Sequence, residues 1–239
     1  RRGEAGNTGS GRSRADAAAR HTGSLGAVLK WGSRRADPPQ VAPQAPPPAT
    51  ESAVTSKVFP KFLAAVAHQE APVLLDLGPV VGANVTFFGE RLGCKLRIED
   101  FYAEVENHAK RGDRAALGEF FAERLSGLAP DSIDGILVWD LFDFLDRASG
   151  LALAARLAPL LRKGGALYGS FGTTPAELKH YTKTVVQSDD VLKLRLMPAT
   201  PVARTVLLTR DIIKMFDGLI VAESVLLKSS TRETLFRRP

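Results

Sequence analysis

Val73 to Phe88 reads VLLDLGPVVGANVTFF. An apolar run ends in Asp76, Gly78 and Gly82 follow, and the next residues can turn helical. The window predicts a strand, a glycine-containing turn and a helix start. Such a turn lets a nucleotide-bearing ligand approach bare backbone with a helix N-terminus facing it. The pattern is imperfect, because Val80 stands where a further glycine is common. A β-branched residue there disfavours positive φ and blocks close backbone approach, and Pro79 fixes the turn.

Outward from this window the chain alternates strand and helix. Val58, Phe59, Phe62, Leu63 and Val66 recur at helical spacing, so order is expected from about residue 52. A short helix over 84–92 stops at Gly93, and a strand over 95–99 is followed by Asp100. Residues 101–126 read as mostly helical. A strand over 135–139 ends in Asp140, an amphipathic helix spans 147–162, and Gly164–Gly165 turns the chain into a strand over 166–171. Residues 172–203 carry Pro175, Pro198 and Pro201 and read as an irregular inserted cap or substrate segment. A helix from Thr209 to Phe216 closes at Gly218, and strands over 219–227 and 232–236 form a terminal hairpin.

This order implies an α/β fold: a doubly wound, mostly parallel sheet with helices on both faces and a C-terminal antiparallel hairpin. Ligands bind such sheets at the carboxyl ends of the strands, where Asp76, Asp100 and Asp140 should converge on one rim.

Charge divides the chain into two parts. The 239 residues carry a net +6, but residues 1–50 hold eight Lys/Arg against three Asp/Glu and so supply +5 of it. Those residues are rich in Gly, Ser, Arg and Pro and read as a disordered tail ahead of one folded domain over 51–239. The folded body is nearly neutral, which does not support a nucleic-acid groove on it. The first 25 residues loosely resemble an organelle transit peptide, but the sequence starts at Arg1 without a methionine. Cys94 is the only cysteine, so there is no intramolecular disulfide and no thiolate zinc cluster, and a reducing, cytoplasmic setting fits. No apolar run is long enough to span a membrane.

The stretch from about Lys57 to Phe236 resembles the class I S-adenosylmethionine-dependent methyltransferases, with their Rossmann-like fold. LLDLGPVVG resembles that family's first motif, APDSIDGILVWDLFDFL its approach to the fourth strand, and LAPLLRKGGALYGSF its fifth-strand unit. The terminal hairpin resembles its reversed seventh strand. The resemblance implies S-adenosylmethionine as cofactor. Asp76, Gly78 and Gly82 would cradle its methionine part, Glu99 or Asp100 would hold the ribose hydroxyls, and Asp140 would stand near methyl donor and acceptor. The sequence departs from the family at Val80, and the third strand with its acid is not recognisable.

Each candidate has a plainer reading. Asn84 is either a ligand contact or a helix N-cap. Asp143 and Asp146 continue the spacing begun at Asp140 and suit a solvated face or a cap. Trp139 suits the core, and Cys94 a small buried hydrophobe at a strand start. His180 and Tyr181 fall in the segment after the fifth strand, where acceptor contacts or proton removal are expected, although a loop histidine is commonly only a surface residue. No His/Asp/Glu set has metal-ligand spacing.

The leading expectation is methyl transfer to a small-molecule acceptor. The alternative is a catalytically inactive methyltransferase-fold scaffold, motivated by Val80 and the missing acid. A nicotinamide oxidoreductase is disfavoured, because the G-x-G-x-x-G spacing is absent.

Overall fold

The computed structural model describes residues 51–239, so the tail expected over 1–50 lies outside the described residues. In chain order the elements are β1 (Glu51–Thr55), α1 (Phe59–Ala67), β2 (Val73–Asp76), α2 (Gly82–Thr86), β3 (Lys95–Ile98), α3 (Phe101–Arg111), α4 (Leu117–Arg124) and β4 (Ile133–Trp139). There follow α5 (Arg147–Leu157), β5 (Leu161–Gly172), β6 (Glu177–Val186), β7 (Val191–Ala203), α6 (Thr209–Met215), β8 (Ile220–Leu226) and β9 (Thr231–Arg237).

Six strands form the main sheet in the order β3-β2-β4-β5-β9-β8. β2 to β5 run parallel, and β9 runs antiparallel to both of its neighbours. Strand alternation builds a core on each face. Leu74 and Leu137 pack on one side with Phe59, Phe62 and Phe88. Leu75, Ile136 and Val138 pack on the other with Phe101, Phe121, Leu153 and Phe216. All seven residues of β4 are buried, as a central parallel strand covered on both faces requires. The architecture is a doubly wound, mostly parallel α/β sheet with helices on both faces, and it carries the expected terminal antiparallel hairpin.

Local signals explain the element ends. Ser56 Oγ accepts hydrogen bonds from the N–H groups of Val58 (3.2 Å) and Phe59 (2.9 Å), and Pro60 sits in the first turn of α1. Asp146 accepts from Ser149 N–H at 2.7 Å and caps α5. Cys94 is buried just before β3, as its composition suggested. The helical stretch expected over 101–126 is broken at Gly112, whose φ of 71° ends α3. These residues are helical or turn where the family resemblance would put a third strand, so the main sheet ends at β3.

The segment 172–203 requires a correction. It is not irregular: it forms the long hairpin β6–β7, which β1 extends to a three-stranded antiparallel sheet in the order β1-β7-β6. Pro198 and Pro201 lie inside β7 without breaking it. β1 pairs only with Val191–Arg195, so beyond Arg195 β7 has β6 as its single partner. Pro198 thus lies where β7 has one open side, and Pro201 falls where the β6–β7 register shifts between Leu178 and His180, a place at which a missing N–H is tolerated. Among the described residues no helix is long and apolar enough to cross a membrane.

Candidate functional site

The pairing β3-β2-β4 sets the carboxyl ends of three parallel strands side by side. Asp76 ends β2, Asp100 follows β3 by two residues, and Asp140 directly follows β4. The three acids therefore share one rim.

Asp76 is almost fully buried. Its Oδ1 accepts from Gly78 N–H at 2.8 Å and from Trp139 Nε1–H at 2.7 Å. Burial still raises its carboxyl to about 6, outweighing the two donated hydrogen bonds. Trp139 reaches Asp76 from a left-handed backbone conformation, φ 48°, rare for a bulky residue. Its indole lies against Gly78 so closely that a Cβ there would come within 2.7 Å of the ring. Gly78 is thus required by the close approach of Trp139. Around Gly82, by contrast, an added Cβ would meet nothing within 4 Å, so the turn is open there. Val80 is 56% exposed and does not fill the turn.

Asn84 lies on the buried side of α2, bound to the small sheet. Its Nδ2 donates to Thr184 C=O at 2.9 Å, and its Oδ1 accepts from Val186 N–H at 2.8 Å. It is neither a helix cap nor free toward the rim, because both ends of its amide are engaged by β6.

Glu99 and Asp100 differ in availability. Glu99 is buried and paired on both oxygens, with Arg97 Nε at 2.8 Å and Arg124 Nε at 2.6 Å. Asp100 caps α3 through one oxygen, Oδ1 accepting from Ala103 N–H at 3.1 Å. Both line a hollow of about 220 Å³ with Phe101 and Phe120.

Asp140 is half-buried beneath the small sheet. It accepts a hydrogen bond from the Tyr102 hydroxyl, and removal from water nevertheless holds its pKa above the usual carboxylate range. Two cavities share it. The inner one, about 310 Å³, lies between β1, β6 and β7 and the ends of β4, β5 and β9, with Trp139, Tyr168, Thr184 and Glu233 in its wall. The outer one, about 250 Å³, is lined by Asp140, Phe144 and His180. Asp140 and His180 are therefore brought together. Tyr181, one residue on, points to the other face of β6 and packs on Tyr102 with ring centroids 5.6 Å apart. It meets Asp140 only through Tyr102.

Sequence reading took Asp143 for a solvated face or a cap, which its burial corrects, and it did not name Tyr168 or Glu233. Asp143 is buried, accepts from Gly172 N–H at 2.9 Å and faces Arg204 Nε at 2.9 Å. Burial pushes its carboxyl to about 7. Glu233 of β9 accepts from the Tyr168 hydroxyl at 2.7 Å, deep in the fold. Its one sequence signal is a charged residue inside the terminal strand, between Arg232 and the apolar pair Leu235–Phe236.

No protein-family model matches the chain, and no curated protein matches it. Solved structures of similar fold include the glycopeptide N-methyltransferase MtfA complexed with S-adenosyl-L-methionine. It is 16% identical, with a TM-score of 0.42, over 76% of this chain and 93% of that one. The CcbJ methyltransferase from Streptomyces caelestis is 15% identical, with a TM-score of 0.41, over 76% and 94%. The 1,6-didemethyltoxoflavin-N1-methyltransferase of Burkholderia thailandensis is 16% identical, with a TM-score of 0.42, over 76% and 77%.

Proposed function

We propose that the chain transfers a methyl group from S-adenosylmethionine to a small-molecule acceptor in a reducing, cytoplasmic setting. The observation that carries this reading is the position of Trp139. One side of its indole lies on Asp76 and Gly78 of the glycine turn, and the residue also lines the inner cavity. A donor site at the turn and an acceptor site in the cavity would share that wall, as direct transfer between neighbouring molecules requires.

The residues present fit such a cofactor in part. The turn is open at Gly82, and Asp76, Asp100 and Asp140 give the rim an acidic character suited to a cationic ligand. Asp100 is the better holder of the ribose hydroxyls, since Glu99 already answers two arginines. When bound, the cofactor supplies an electrophilic methyl on a sulfonium. The chain's own task is then to orient the acceptor, exclude water and take a proton. The small sheet roofs the inner cavity, and Asp140 and Asp143 line both cavities; Asp143 is engaged by Arg204, which leaves Asp140 as the carboxyl to take the proton. His180 borders the outer cavity and offers the proton a way on toward solvent.

A second reading, a scaffold that has kept the fold without the activity, draws on Trp139 packed against Gly78 and on the sheet ending at β3. Isothermal titration of the full chain with S-adenosylmethionine and S-adenosylhomocysteine separates the two. Micromolar binding supports methyl transfer. Absence of heat at millimolar ligand removes it in favour of the scaffold.

A further inference from the structure

The inner cavity holds more carboxyl groups than its own cation can pair. Of its lining residues Asp140, Asp143, Glu233 and Arg204 are charged, and Arg204 is paired with Asp143 at 2.9 Å. Arg204 also acts on Asp140, so three carboxyls face one guanidinium, and neither Asp140 nor Glu233 has an ion pair of its own in that wall. Glu233 is 2% exposed, and its Oε2 has no hydrogen-bond partner among the described residues. The Tyr168 hydroxyl satisfies only Oε1. A buried carboxylate oxygen without a donor is costly, and it persists where a ligand or ion supplies the missing partner.

We propose that this cavity binds an organic ammonium, with Glu233 Oε2 and Asp140 as its acceptors, and that the methyl acceptor is accordingly an amine. An ammonium brings three donors and one positive charge, which suit the bare Glu233 Oε2 and the Asp140 carboxylate. A neutral alcohol would supply the hydrogen bond without the charge, and a carboxylic acid would add to the repulsion. The apolar remainder of the wall, Trp139, Leu192 and Leu194 among it, suits a hydrocarbon or aromatic body behind the nitrogen. The assignment of this amine as acceptor rests on the methyl-transfer reading, whereas the cation site itself does not. In transfer the nitrogen gives one proton to Asp140 and forms the new N–CH₃ bond with the lone pair so freed. The S–CH₃ bond breaks with its electron pair remaining on sulfur.

The test titrates the full chain, without cofactor, with benzylamine, benzyl alcohol and benzoate, three probes of nearly one shape. NMR reports the amides of Ser170, Thr184 and Glu233. Benzylamine should bind roughly tenfold or more tightly than benzyl alcohol, with benzoate weakest, because a desolvated charge pair is worth more than a neutral hydrogen bond. Glu233→Gln keeps the shape and the Tyr168 contact, and it should erase most of that preference. Equal binding of amine and alcohol, tighter binding of benzoate, absence of benzylamine binding at millimolar concentration, or an unchanged preference in Glu233→Gln each overturns the proposal. The wild-type ranking decides even if the variant does not fold. Since no cofactor is present, failure here leaves the cofactor titration to be judged separately. Amine binding without any cofactor binding would keep the cation site and remove the methyl-transfer reading.

Discussion

Asn84 and Val186, 102 residues apart, are joined by a hydrogen bond of 2.8 Å from the Val186 N–H to Asn84 Oδ1. The Asn84 Nδ2 returns a bond to Thr184 C=O on the same strand. One side chain at the start of the glycine-turn helix thereby clasps the roof of the inner cavity.

Asn84→Ala should leave the Thr184 carbonyl and the Val186 N–H unpaired in a buried place. A loss of about 2–6 kcal/mol is expected, from about 1–3 kcal/mol for each of the two buried groups left unsatisfied. Chemical denaturation measures the loss. Hydrogen exchange should rise at Val186 and its β6 neighbours more than in β4.

Glu99 and Asp100 can be told apart by cofactor affinity. Asp100→Asn keeps the α3 cap, since asparagine caps as well as aspartate, but loses the charge. It should weaken S-adenosylmethionine binding by about tenfold, the size expected for one charge-assisted hydrogen bond. Glu99→Gln should leave affinity nearly unchanged and instead lower stability, because Arg97 and Arg124 lose their common partner. Calorimetric titration and thermal melts on both variants decide it.

Asp76 makes stability depend on pH with a definite sign. Its folded pKa of about 6 lies above the ordinary 3.8, so the fold holds the proton more tightly than the unfolded chain does. The stability it contributes is fully present below pH 4 and is lost as pH rises through 6. That amounts to roughly 3 kcal/mol by linkage. Asp76→Asn keeps an acceptor for Gly78 and Trp139 without the titration. Its melting temperature should fall less than the wild type's between pH 4.5 and pH 7, and an identical slope would count against the assignment.

Gly78→Ala should clash with the indole of Trp139, since the new methyl would come within 2.7 Å of it. A cost of about 1–3 kcal/mol is expected for such overpacking. Combining it with Trp139→Leu should recover part of that cost, read as non-additivity in a double-mutant cycle.

The main sheet was legible because its signals are local. VLLD and GILVW are apolar runs closed by turn residues, and Gly93 and Gly218 mark the stops at residues whose φ values are 63° and 83°. The β6–β7 hairpin was not legible. Its residues are only half buried, so polar and apolar positions do not separate cleanly, and Pro198 and Pro201 read as breakers. Nothing local announces that β7 runs open-sided past Arg195. The rim acids Asp76, Asp100 and Asp140 were found because each follows a recognisable strand. Glu233 and Tyr168 were missed because they meet only through the β5–β9 pairing, 65 residues apart in sequence. Asn84 was found as a position, but its partners lie on the strand that the prolines hid.

The wedge of Trp139 between the glycine turn and the inner cavity has an optical consequence. It is the only tryptophan among the described residues, and Trp31 is the other in the chain. With Trp31 replaced by phenylalanine, all indole emission comes from the wall shared by the two proposed sites. The indole N–H rests on a carboxyl that titrates near 6, so its emission senses that proton as well as any molecule settling on either side. The protein thus carries a built-in fluorophore at the point where its chemistry would be observed.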